Sequence, residues 1–182
     1  KLMGSQEPSV RIAPEYIHTD GEDAVKILAA GRLFVDPWQE GILHDWMGRT
    51  EEEIWSATTC GLSVPRQNGK TLDTSGRIAS GMVMYAEWIV YTAHLQKTAT
   101  ETFMELKGLF ESRGLKKYVK EIKTALGREQ IILKNGGRVV FVARTRNGGR
   151  GLHGDLLVFD EAQELTSEQQ ASFLPAISAS RN

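Results

Sequence analysis

Apolar positions along this chain change their spacing several times, and each change predicts an element. Lys1 to Pro14 show no periodicity, and residues 1–19 are expected to form a disordered or extended lead. Asp20 or Glu22 then opens a helix with Ala24, Ile27 and Leu28 on one face and Gly31 as its stop. A second helix begins at Asp36-Pro37, since proline suits a first helical position. It carries Trp38, Ile42, Leu43 and Trp46 on one stripe. Ile54 to Cys60 is short and rich in β-formers, which predicts a strand running into Val64–Thr71. Leu72 to about Ala86 is the next helix, Trp88–Ala93 a buried type of strand, and Gln96 to about Phe110 a further amphipathic helix. Residues 113–123, if helical, would align Lys116, Lys117, Lys120 and Lys123 along part of one face. Ile131–Leu133 and Arg138–Val142 flank Lys134-Asn135-Gly136-Gly137, a hairpin signal because Asn-Gly tolerates positive φ. Asp155–Phe159 is one more short apolar strand, and Ala176–Ala179 is expected as the last.

Strands alternating with helices imply an α/β domain over residues 20–182, with a mainly parallel central sheet covered by helices. The sequence stops after the last expected strand with no closing helix. The domain is therefore expected to be incomplete at its C-terminus.

Composition narrows the classes. The chain has 182 residues, 41% hydrophobic and 25% charged, which is enough for a real core. A single cysteine, Cys60, excludes a disulfide framework and makes a reducing compartment the default. No apolar run approaches the roughly 20 residues that span a bilayer, and no signal-peptide layout stands at the N-terminus. A membrane role is therefore not expected. The formal net charge of -1 conceals an uneven distribution. Residues 113–150 hold 11 basic and 2 acidic groups, so half of all Lys and Arg lie in that segment between two acidic flanks.

Two motifs carry chemistry. Gly69-Lys70-Thr71 lies between an expected strand and an expected helix, the context a phosphate-binding loop requires. Backbone N–H groups of such a loop converge on phosphate oxygens at the helix N-terminus, where the dipole favours negative charge. Lys70 would reach the β- and γ-phosphates of ATP, the Thr71 hydroxyl would bind Mg²⁺, and Gly69 would let the backbone come close. The common pattern places Gly five residues before Gly69, and this chain has Val64 there. The second motif, Leu156-Leu157-Val158-Phe159-Asp160-Glu161, is an apolar strand ending in two carboxylates. Asp160 would hold Mg²⁺ directly or through water, and Glu161 would polarise the attacking water. The alternative for the acidic pair is an exposed strand-to-loop turn.

Val64-Pro65-Arg66-Gln67-Asn68-Gly69-Lys70-Thr71, with Asp160-Glu161-Ala162-Gln163, resembles the large terminase subunit of tailed bacteriophages, the ATPase that drives DNA into a preformed capsid. The resemblance covers nearly all of residues 20–182. It implies a P-loop ATPase of the RecA-like, ASCE class. That family's loop lacks the first Gly and carries an Arg, so Val64 and Arg66 fit it. By resemblance, Pro65, Arg66, Gln67 and Asn68 join the nucleotide site, and Arg66 senses or stabilises the γ-phosphate in cis; the alternative for Arg66 is a surface salt bridge. Asp36-Pro37-Trp38-Gln39 looks like the family's adenine-recognition element. Gln39 supplies the amide donor and acceptor that an adenine edge needs, and Trp38 is either an apolar platform or only core. Ser178-Ala179-Ser180 resembles the coupling motif that relays the state of the γ-phosphate.

Terminases form rings in which a neighbouring subunit supplies an arginine. Within Arg144-Thr145-Arg146-Asn147-Gly148-Gly149-Arg150-Gly151, Arg150 is the first candidate for that trans-acting finger and Arg144 and Arg146 are its reserves. A flexible basic loop touching DNA phosphates or solvent is the other reading. Lys116, Lys117, Lys120, Lys123, Arg144 and Arg146 are candidate DNA contacts, against the reading that the lysines are a solvated helix face.

The resemblance implies a packaging motor that uses ATP and Mg²⁺ to move double-stranded DNA through a portal into a procapsid. Its partners would be the portal protein, a small terminase subunit and further copies in a homo-oligomeric ring. Its place would be the host cytoplasm, with transient docking at the procapsid. A helicase-like nucleic-acid-dependent ATPase shares both motifs, and the Arg66 loop favours the terminase. A non-hydrolysing ring-assembly protein has no need of Glu161. The clustered carboxylates of a C-terminal nuclease domain are absent from this sequence, so no nuclease activity is expected of it.

Overall fold

A computed structural model describes residues 4–65, 68–145, 148–149 and 151–177. The chain divides into two compact units, residues 1–80 and 81–181, with Asn182 grouped with the first.

In the first unit, β1 (His18–Thr19) pairs antiparallel with β2 (Gly48–Arg49), and between them stand α1 (Gly21–Ala30) and α2 (Pro37–Trp46). Both helices begin where the sequence predicts, and α1 also ends there, at Gly31. Ala24 and Leu28 of α1 and Leu43 of α2 are fully buried, as the stripe spacing requires. Helix α3 (Lys70–Tyr85) gives its residues up to Ser80 to this unit. At Gly76 a Cβ would stand 2.9 Å from Leu28 Cδ1 and 3.1 Å from Leu43 Cδ2, so a side chain there would press on both of the other helices. That close approach seats the first half of α3 against α1 and α2.

The strand expected over Ile54–Cys60 does not form. Only an isolated bridge joins Trp55 to Arg49, with Ser56 N–H donating to the Gly48 carbonyl at 2.9 Å. The Trp55 ring is instead covered by the guanidinium of Arg49 at 3.3 Å and meets that of Arg77 at 4.6 Å. Cation–π contacts thus place the residue that β-propensity would have put in a ladder.

The second unit is a five-stranded sheet of order β4-β5-β6-β3-β7. Its strands are β3 (Trp88–Ala93), β4 (Val119–Lys123), β5 (Gln130–Leu133), β6 (Arg138–Ala143) and β7 (Leu156–Phe159). β3 pairs parallel with β6 and β7, whereas β4–β5 and β5–β6 are antiparallel. The sheet is therefore mixed rather than mainly parallel. The Asn135-Gly136 hairpin accounts for the β5–β6 pair, with Gly136 at φ 98°. Asn135 also donates to the carbonyl of Met82 in the last turns of α3, at 2.8 Å.

Residues 113–123 are not a helix. A 3-10 turn over Lys116–Tyr118 leads into β4, because Val119 and Ile122 pair with Leu133 and Ile131 of β5. Lys116, Lys117, Lys120 and Lys123 are all exposed, but the last two belong to an edge strand. Lysines on such an edge also discourage pairing with other chains.

Helix α4 (Gln96–Glu111) covers the face that carries Tyr91 and Phe141, and Phe103 meets the Phe141 ring at 5.4 Å. Residues 162–164 make a 3-10 turn after β7, followed by α5 (Ser167–Phe173). Phe173 of that helix meets Phe159 edge-on at 6.3 Å. Leu174–Ile177 is a further 3-10 turn, so Ala176 and Ile177 are not the start of a strand, and Ala176 is buried under the Gly154 N–H that its carbonyl accepts.

Candidate functional site

In the first unit, Gly69 and Lys70 join the expected phosphate loop to α3. Gly69 has φ 78°, a left-handed conformation that costs glycine little, and Lys70 is the first residue of α3. The Gly69 carbonyl accepts the Leu72 N–H at 2.9 Å, and Thr74 Oγ1 donates to the Lys70 carbonyl at 3.2 Å. Pro65, Asn68 and Gly69 are exposed, while Lys70 and Thr71 are half-buried. Arg66 and Gln67 lie outside the described residues.

Gln39 is 4% exposed and already has two tasks. Its Oε1 accepts the Asp36 N–H at 2.9 Å, which closes the capping box of α2, and its Nε2 donates to the Gly69 carbonyl at 3.1 Å. The residue expected to read an adenine edge therefore ties the first turn of α2 to the loop glycine. Trp38, beside it, is half-buried.

Asp73, one turn beyond Lys70, is a residue that sequence reasoning missed. It is 0% exposed, and neither carboxyl oxygen has a hydrogen-bond partner among the described residues. Burial pushes its pKa up to about 7, an effect that the nearby Gln39 amide only partly opposes. A carboxyl at helical spacing from the small residues Gly76 and Ser80 was the available signal.

In the second unit, Asp160 and Glu161 close β7 in a turn pinned from three directions. The Asp160 N–H continues the ladder by donating to the Thr92 carbonyl at 2.9 Å. Tyr91 Oη donates to Asp160 Oδ2 at 2.6 Å, and the Glu161 N–H donates to Asp160 Oδ1 at 2.8 Å. Glu161 has φ 51° and ψ 51°, left-handed for a residue with a Cβ, which costs on the order of 1 kcal/mol. Arg144 supplies the compensation. Its Nη1 donates to the carbonyls of Asp160 at 2.6 Å and Thr92 at 3.1 Å, and its Nη2 to the carbonyl of Glu161 at 3.0 Å.

Arg144 is 4% exposed, so it is neither a DNA contact nor a finger reaching a neighbour; it faces inward onto the acidic turn. Burial draws its pKa down, opposed by the charges of Asp160 and Glu161. Its own carbonyl accepts Gln169 Nε2 at 3.2 Å, and Gln169 belongs to the capping box that starts α5. The basic loop beyond is anchored at Gly149, whose N–H donates to Ser172 Oγ at 3.3 Å and where a Cβ would strike the Ser172 carbonyl. Arg146, Arg150, Ser178, Ala179 and Ser180 lie outside the described residues.

Each unit offers one hard oxygen ligand of the kind that Mg²⁺ takes, the Thr71 hydroxyl in the first and the Asp160 carboxylate in the second. Among the described residues no cluster of three His, Cys, Asp or Glu side chains offers an all-protein cage. Nor is any described helix long and apolar enough to cross a membrane.

No family model matches this sequence, and no curated protein sequence matches it. Among solved structures, the crystal structure of the HK97 bacteriophage large terminase matches with a TM-score of 0.75 at 19% sequence identity. The match covers 90% of this chain and 36% of that one, so this chain spans about a third of the length of the terminase. At that identity the likeness is one of architecture, and the chain has a terminase-like fold.

Proposed function

We propose that this chain carries the Mg²⁺-dependent ATPase of a phage DNA-packaging motor. The observation that carries the reading is the left-handed Gly69 directly ahead of Lys70, the first residue of a 16-residue helix. That arrangement presents N–H groups, a helix dipole and an ammonium to phosphate oxygens. The terminase-like fold and the acidic pair at the end of β7 support the same reading.

In this account Lys70 neutralises charge on the β- and γ-phosphates, and the Gly69 backbone makes room for them. Glu161 orients water and accepts its proton as the water attacks the γ-phosphorus, and the bond from that phosphorus to the β,γ-bridging oxygen breaks so that ADP leaves. Thr71 and Asp160 would hold Mg²⁺, which when bound neutralises phosphate charge. Arg66 is proposed to touch the γ-phosphate in cis, Arg150 to serve a neighbouring subunit, Trp38 to flank the base, and Ser178–Ser180 to relay the nucleotide state. Double-stranded DNA, a portal protein, a small terminase subunit and further copies of the chain in a ring are the proposed partners, at a procapsid in the host cytoplasm.

Glu161→Gln tests the assignment. The variant is expected to bind ATP as the wild type does while γ-phosphate release falls to background, because an amide cannot take the proton. Unchanged hydrolysis by Glu161→Gln sinks the assignment.

A further inference from the structure

The tips of three parallel strands meet at the acidic turn, and Tyr91 and Arg144 hold it there. Tyr91 sits in the middle of β3, between the buried Val90 and Thr92, and its hydroxyl reaches Asp160 Oδ2 at 2.6 Å and Thr102 Oγ1 at 2.9 Å. A phenol has one proton, and an ionised carboxylate only accepts. The Tyr91 proton therefore goes to Asp160, and Thr102 is the donor to Tyr91. The chain Thr102 → Tyr91 → Asp160 has one direction and ties α4 to the carboxylate.

Arg144 acts on the other side of the same turn. One guanidinium spans the carbonyls of Thr92, Asp160 and Glu161, so it fixes the backbone at the point where Glu161 turns left-handed. A lysine has no planar fork with which to bridge three carbonyls.

We propose that Tyr91 and Arg144 are positioning residues for the acidic turn, Tyr91 orienting the Asp160 carboxylate towards a divalent cation and Arg144 holding Glu161 in its left-handed conformation. This rests on the nucleotide reading above and assigns separate consequences to the two residues. Loss of Tyr91 acts on cation affinity, because Asp160 Oδ2 then loses the hydroxyl that fixes its direction. Loss of Arg144 acts on turnover, because Glu161 leaves its place while the cation's carboxylate keeps its tyrosine.

The test compares wild type, Tyr91→Phe, Thr102→Val and Arg144→Lys by two readouts. Mn²⁺ replaces Mg²⁺ in the presence of a non-hydrolysable ATP analogue, and unbound Mn²⁺ is counted by electron paramagnetic resonance. Turnover is measured as phosphate release at saturating Mg²⁺, per folded molecule as determined by thermal melting. Tyr91→Phe is expected to weaken Mn²⁺ binding about tenfold, the usual order when a group orienting a metal ligand is removed. Thr102→Val should act in the same direction by a smaller factor. Arg144→Lys is expected to lower kcat about 100-fold, as displacement of a reacting group by an ångström does, with Mn²⁺ affinity kept.

Lowered melting temperatures with unchanged Mn²⁺ affinity and unchanged kcat would mean that both residues only hold the fold, and would overturn the proposal. Wild-type protein that binds no Mn²⁺ with the analogue would remove the nucleotide reading, and this proposal with it. Wild-type binding with unaltered variants overturns this proposal alone.

Discussion

Replacing Asp73 by Asn should make the protein more stable at pH 8 and leave it nearly unchanged at pH 4.5. The carboxyl is fully buried, lacks hydrogen-bond partners among the described residues, and titrates at about 7 rather than at 3.8. In the unfolded chain it loses its proton near its ordinary value, whereas the folded protein keeps the proton until about pH 7. Between those values the folded state binds the extra proton, so this group's contribution falls as pH rises from about 4 to 7. Above that window the penalty is complete. About three pH units correspond to roughly 4 kcal/mol.

Asparagine removes the ionisation and puts a polar amide in the place of an equally unpartnered neutral carboxyl, so the burial costs cancel and the two proteins differ little at pH 4.5. The expected net gain at pH 8 is therefore about 3–4 kcal/mol. Urea unfolding of both proteins at the two pH values measures it, because every other titrating group is common to both and cancels in the difference. With slopes of about 1–3 kcal/mol per molar urea, the midpoint at pH 8 should rise by roughly 1–3 M. A difference independent of pH, or a variant less stable at pH 8, would refute the argument that Asp73 is held against its preferred charge state.

Two further expectations concern residues that the sequence singled out for ligands. Gln39→Ala should cost about 1–2 kcal/mol, seen as a lower melting temperature, because it removes both the α2 capping box and the tie to the Gly69 carbonyl; an unchanged melting temperature would deny Gln39 that anchoring role. Replacing Lys116, Lys117, Lys120 and Lys123 together by Ala should flatten the dependence of log K for double-stranded DNA on log salt by up to about 0.9 per lysine that meets a phosphate. Stability should stay as it is, since all four are exposed; an unaltered slope would leave them as a solvated strand edge.

The sequence exposed those elements whose signals are local. Proline at the start of α2, the stripe Ala24-Leu28, the aliphatic run of β3 and the Asn-Gly hairpin each act over a few residues, and each stands where expected. Elements decided at a distance were misread. β4 is a strand because Val119 and Ile122 meet β5, against the helical spacing of its lysines. Trp55 leaves its expected strand for two guanidinium groups.

The same division runs through the candidate site. Gly69-Lys70 and Asp160-Glu161 were legible as motifs, because each packs its chemistry into adjacent positions. Their supports were not, since Tyr91 lies 69 residues from Asp160, and Arg144 16 from Asp160 and 17 from Glu161. Arg144 in particular sits in a basic, glycine-rich stretch that reads as surface, and only the fold turns it inward. A tyrosine hydroxyl in a strand otherwise fit for complete burial was the one hint that a polar partner waited nearby.

The central claim is that Lys70 opens a nucleotide-binding helix. Calorimetric titration of ATP with Mg²⁺ into wild type and Lys70→Ala tests it without requiring turnover. The account predicts saturable binding by the wild type and affinity reduced about 10- to 100-fold in the variant, the value of a hydrogen bond to a charged phosphate. Equal affinities, or no binding of ATP by the wild type, would contradict it.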